Sequence, residues 1–260
     1  MGMKMRKTLL RTLVVVVAIG LVGAGAAEAL KLRIGNIVIT ADGGFSPTTL
    51  PKHENAPIRL FGHAKFGTVD GTRPSPLRRL VLEFDKHGAV ETRGLEKCTM
   101  AKLVATTTKV ARKLCPDAIV GTGFGTALVE LPEQRGIEAS SPLTLFNGPV
   151  KHGNPTVLGH AHIDYPGPTT YVILIEIQKV HHGRYGFKTV ANFPRIVNDY
   201  GSPISGRLTI GKEWKYKGQT LSYANAHCAD GRLQAKAQFL FKDGSFVQGT
   251  VFKPCKVAPG

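Results

Sequence analysis

Apolar and polar positions alternate along most of this chain in short runs, and glycine, proline, asparagine and aspartate punctuate them. That spacing predicts strands with one dry and one wet face. Residues 30–40, LKLRIGNIVIT, read as a first strand, and 41–55 as a loop. In 57–68 Ile58, Leu60, Ala64 and Phe66 share one face, while Arg59, His63 and Lys65 share the other. In 77–85 Leu80, Leu82 and Phe84 oppose Arg79 and Glu83. Strand texture returns over 118–131, 142–147, 156–164, 187–193, 204–210 and 219–224. The stretch 171–180, YVILIEIQKV, is apolar on both faces in its first half and predicts a central strand.

The last hairpin is the best defined. Ala235, Ala237, Phe239 and Phe241 alternate with Lys236, Gln238 and Lys242. Asp243-Gly244 then suits a type I′ turn. One segment breaks the period of two. Over 99–114 Met100, Leu103, Val104, Thr107, Ala111 and Leu114 fall on one side at helical spacing, and Pro116 prevents continuation. The run Thr106–Thr108 weakens that helix.

Composition adds a compartment. Lys4, Arg6, Lys7 and Arg11 precede an apolar run, and Ala27-Glu28-Ala29 follows as an A-x-A site. Residues 1–29 are read as a signal peptide cleaved before Leu30. No later segment is apolar and long enough to span a bilayer. The chain has a net charge of +16 and four cysteines, all beyond the leader. Export and an even cysteine count suggest disulfides among Cys98, Cys115, Cys228 and Cys255, with three pairings open. The local pairing, Cys98 with Cys115 and Cys228 with Cys255, is the simplest; each closed loop contributes about 3 kcal/mol. Basic residues are dispersed, with no nucleic-acid module, so specific nucleic-acid recognition is not expected.

An internal echo runs through the chain. Ser75-Pro-Leu…Leu80-Val-Leu…Cys98 parallels Ser202-Pro-Ile…Leu208-Thr-Ile…Cys228. Either a β-module was duplicated, with a helix inserted in the first copy, or two hairpins simply look alike. The stretches LPKHENAPIRLFGHAKF, RPSPLRRLVLEFDKHG and GLEKC, with the terminal KPCKV, give the chain a further likeness: it resembles uncharacterised secreted β-rich proteins of high-GC soil bacteria. That resemblance implies export and a β fold, and carries over no activity and no site residues.

Catalytic signals are sparse. LGHAHID sets His160, His162 and Asp164 on one face of a strand, about 6.5 Å apart in sequence steps of two. Two such histidines suit zinc, with His152, His181 or His182 as a third ligand by nearness in sequence. The competing reading makes them the solvated face of a strand whose core side is Val157, Ala161 and Ile163. Gly121-Thr-Gly-Phe-Gly125 lacks the following helix that a dinucleotide loop needs; its glycines relieve crowding or make a bulge. No Gly-x-Ser-x-Gly elbow occurs, and nothing pairs Glu83, Asp85, Glu91 or Glu96. Trp214 and Tyr216 alternate near a hairpin and offer rings for sugar stacking, or for packing over the sheet.

The expectation is a mainly β chain, an antiparallel β-sandwich or two related modules (30–140 with the helix, and 141–260). It is expected to be a secreted or envelope protein without catalysis, needing no cofactor, its basic surface weakly binding anionic polymers or lipid headgroups. The alternatives are a metal-dependent hydrolase using zinc at His160 and His162, and a carbohydrate-binding module using Trp214 and Tyr216.

Overall fold

The computed structural model describes residues 29–259. The expected leader lies outside the described residues except for Ala29. Twelve strands form one antiparallel sheet. The first six are β1 (Leu30–Ile34), β2 (Ile37–Ser46), β3 (Arg59–Thr68), β4 (Leu77–Asp85), β5 (Ile119–Val129) and β6 (Ile137–Asn147). The second six are β7 (Thr156–Ile163), β8 (Thr169–His182), β9 (Tyr185–Asn192), β10 (Gly201–Ile210), β11 (Arg232–Phe241) and β12 (Phe246–Pro254). The sheet curls until its edges meet: a side chain added at Gly249 of β12 would strike Leu30 and Leu32 of β1. The mainly antiparallel β class expected from the alternation is what is seen, in the form of a nearly closed barrel.

The spatial order is β1-β2-β3-β10-β5-β6-β7-β8-β9-β4-β11-β12. Its two halves have the same plan, except that each lends its fourth strand to the other. β10 lies between β3 and β5; β4 lies between β9 and β11. The registers match as well. Phe61, Thr209, Thr122 and Thr144 form a row across β3, β10, β5 and β6. Val190, Val81, Gln238 and Gln248 form the corresponding row across β9, β4, β11 and β12. Both exchanged strands carry a register shift shortly after their Ser-Pro start. The echo around Ser75 and Ser202 therefore marks the two exchanged strands. The expected division at 140/141 falls inside β6, and the plan repeats from the β6–β7 connection instead.

Side chains from opposite walls fill the interior. Ile39, Phe66, Leu80, Phe239 and Phe241 form one cluster, with the Phe66 and Phe239 rings edge to face at 5.6 Å. Val120, Leu145, Val157, Ile177 and Leu208 form another, closed at its end by Leu95 and Tyr223.

The segment between β4 and β5 covers the outward face of β6–β8. Two short helices are seen in it, α1 (Met100–Leu103) and α2 (Thr108–Leu114), where the spacing predicts one. The threonine run causes the break. Thr106 Oγ1 donates to the Leu103 carbonyl at 2.7 Å, and Thr107 Oγ1 accepts from Val110 N at 3.3 Å as the N-cap of α2. These hydroxyls satisfy both helix ends that a continuous helix would not have. Ala105 between them has φ +58°. Of the predicted apolar stripe only Leu103 and Ala111 are buried, against Phe146 and Leu158. Met100, Val104 and Leu114 face out.

Both disulfides are the local ones: Cys98–Cys115 with Cα atoms 5.7 Å apart, and Cys228–Cys255 at 5.9 Å. Two turns differ from expectation. Gly35, at φ +53°, folds the expected first strand into the β1–β2 hairpin. At the last hairpin only Gly244 has positive φ, because Asp243 Oδ1 takes the Ser245 amide at 2.9 Å and closes its own turn. That is not a type I′ pair. Among the described residues no helix is long and apolar enough to cross a membrane.

Candidate functional site

The outward face of β3, β10 and β5 holds two adjoining shallow hollows, of about 600 and 410 Å³. Strand alternation sends Arg59, Phe61 and His63 of β3 outward, with Arg207 and Thr209 of β10 and Thr122 and Phe124 of β5. Threonines make the floor. α2 supplies the wall: Arg112 Nε donates to the buried Thr144 hydroxyl at 2.9 Å, which fixes the guanidinium at the rim. Arg207 lies over the exposed Phe124 ring, 5.7 Å from its centroid, a cation–π arrangement. Lys212 closes the far end, its ammonium donating to the Asp117 carbonyl.

Among the described residues no carboxylate lines either hollow. Arg59, Arg112 and Arg207 enter no ion pair among the described residues. The nearest acid in register with His63 is Asp42, and Lys253 holds it at 2.6 Å. Burial opposes ionisation of Asp42, yet that Lys253 contact keeps its carboxyl below the usual range. The matching place in the second half is the opposite case. There Lys188, Glu83 and Lys236 lie side by side, and the buried Glu83 accepts from His182 at 2.9 Å and pairs with Lys236 at 3.7 Å. The residue corresponding to Glu83 by register is Gly211. Beside β4 the acid Glu83 meets His182 and Lys236, whereas the cations beside β10 face a groove. Guanidiniums beside hydroxyl donors suit an oxyanion.

The three polar positions of the histidine strand differ in exposure: His160 is buried, His162 is half-buried and Asp164 is exposed. His160 is fully buried under the α1–α2 connection. Its Nε2 lies 3.0 Å from the Thr106 carbonyl and 3.3 Å from Thr106 Oγ1, and its Nδ1 has no partner among the described residues. Burial pushes its pKa down, the Thr106 carbonyl opposes this, and His162 and Arg112 add to the depression. His162 Nδ1 meets Thr170 Oγ1 at 2.8 Å, and its Nε2 meets Asp164 Oδ1 at 3.2 Å. His160 is thus a buried strut and not part of a solvated face. Among the described residues no three His, Cys, Asp or Glu side chains converge as a metal site would require. Trp214 and Tyr216 both pack on the 93–94 loop. Trp214 Nε1 donates to the Arg93 carbonyl at 2.9 Å, and the Tyr216 ring occupies the space beside Gly94.

Alternation alone marked Arg59 and His63 as outward. Arg207, Phe124 and Arg112 escaped notice because the exchanged strand and α2 bring them in from distant sequence. Comparison with protein-family models, with curated proteins and with solved structures found no match.

Proposed function

We propose that this is an exported, non-catalytic binding protein whose cationic groove takes an extended anionic polymer. The observation that carries this is the row of unpaired Arg59, Arg112 and Arg207 over a threonine floor, with no acid in the lining. The leader and the two disulfides support an extracytoplasmic setting. From Arg59 to His63 the groove follows β3 for about 13 Å, room for several charged units. Phe61 and Phe124 give the ligand's less polar parts a surface to cross.

Heparin or polyphosphate titrated into the protein by calorimetry tests the reading. Affinity is expected to fall with added salt, as exposed charges are screened. Arg207→Ala and Thr209→Glu should each weaken binding about tenfold, the scale of one charge-assisted contact. Binding that ignores both substitutions, or no binding at low salt, contradicts it.

A further inference from the structure

The disulfide-closed cap, residues 98–115, presents an outward face that neither the core nor the groove uses. Leu103 and Ala111 anchor it at 0% exposure, so the residues that face out are set by the fold. Those include four large apolar side chains: Met100 at 37%, Val104 at 49%, Val110 at 43% and Leu114 at 46% exposure. Single exposed apolar residues are ordinary. Four within one short disulfide-closed loop are more than scattered single exposure accounts for.

Along the segment itself the charge has one sign. Between Glu96 and Asp117 the chain has Lys97, Lys102, Lys109, Arg112 and Lys113 and no acid. The lysines are all exposed. On α2, Val110 and Leu114 are four residues apart and share a flank; Lys109 and Lys113 do the same beside them. Apolar anchors next to lysines are what a surface with anionic headgroups above hydrocarbon complements. A soluble polyanion has no hydrocarbon layer for the aliphatic Val104, Val110 and Leu114 to enter.

We propose that this cap docks on anionic lipid bilayers, with Val104, Val110 and Leu114 at the headgroup–acyl boundary and the lysines among the phosphates. The inference deepens the proposed function and rests on it for export, but it uses residues outside the groove. Arg112 alone belongs to both regions. Docking by the cap places the groove beside the membrane surface.

Sedimentation of the mature chain with phosphatidylglycerol/phosphatidylcholine vesicles tests this, with phosphatidylcholine vesicles as control. Binding is expected only to the anionic vesicles. Val110→Glu combined with Leu114→Glu, and Lys109→Glu combined with Lys113→Glu, should each weaken it tenfold or more; a cation near a charged bilayer contributes about fivefold. Near-UV dichroism and thiol titration confirm that the variants remain folded and oxidised. Val110→Trp should be quenched by lipids with brominated chains, whereas the single native tryptophan, Trp214, should not. Arg207→Ala should leave vesicle binding within twofold while weakening polymer binding. Cap variants that bind vesicles like the parent, or an unquenched Trp introduced at position 110, overturn the docking proposal. If Arg207→Ala alone abolishes vesicle binding, lipid belongs to the groove, and the cap proposal falls while the groove reading stands.

Discussion

At Gly123 a hydrogen is all that the fold admits. A methyl there would lie 2.1 Å from the Arg207 carbonyl oxygen and 2.7 Å from Leu208. Gly121 is nearly as tight, 2.6 Å from the Thr209 carbonyl. Gly121 and Gly123 therefore let β5 lie close to β10 and relieve crowding, whereas a methyl at Gly125 would make only ordinary contact with Leu143. In the other half the matching inward positions are Ala237 and Phe239, so close approach is particular to the groove side. Gly123→Ala is expected to cost about 3 kcal/mol, the scale of overpacking against rigid backbone. It should also weaken polymer binding, because Arg207 must shift. Gly67 of β3 has nothing within 4 Å of such a methyl. Gly67→Ala should be neutral or stabilise by up to about 1 kcal/mol. Urea denaturation of the two variants decides between these; equal effects would remove the crowding argument.

Among the elements, the cap depends on a histidine. His160 accepts burial only as a neutral ring, and through Nε2–H it holds the Thr106 carbonyl between α1 and α2. Thr170 Oγ1 donates to the same carbonyl at 2.9 Å. Because burial holds the folded pKa of His160 below 6.5, the unfolded chain takes up this proton first as pH falls. Stability must then rise with pH between the folded value and 6.5, and be lost on acidification through that window. His227 adds to the same slope, since burial, then His87 and His53, depress its pKa too. The depressed carboxylates Asp199 and Asp230, each at about 2, lose their contribution at lower pH. Urea midpoints should change little between pH 8 and 7 and fall between 6.5 and 5 for the parent chain, and fall less there for His160→Asn. The variant should also be weaker at pH 8 by about 1 kcal/mol, for the bond to Thr106. Parallel pH profiles would show that His160 does not titrate with unfolding.

At the scale of the molecule the exchanged strands make two similar halves into one body. β4 has both its neighbours, β9 and β11, in the second half, and β10 has β3 and β5 in the first. Residues 30–148 alone would leave β4 without a partner, and 149–259 would leave β10 without one. Each fragment is expected to show little strand signal by far-UV dichroism, and an equimolar mixture should regain it. A fragment that folds alone would mean that its fourth strand can return to its own half. The exchange also builds the groove, since Arg207 and Thr209 reach β3 and β5 only on the exchanged strand.

Whatever depends on near neighbours was legible along the chain. A period of two assigned inward and outward faces, as for Leu60 and Phe66 against Arg59 and His63, because burial of one face follows from alternation. Cysteines within one short segment favoured the local bridges. Propensity located the cap and flagged its weak point at Thr106–Thr108. Tertiary structure alone decided what depends on register between distant strands. It set β10 beside β3, laid Arg112 next to Arg207, and put Glu83 between lysines in one half and Gly211 in its place in the other. It also decided that His160 is covered, because the cap that covers it comes from more than fifty residues away. Alternation states which way a side chain points, and only the assembled sheet states what it meets there.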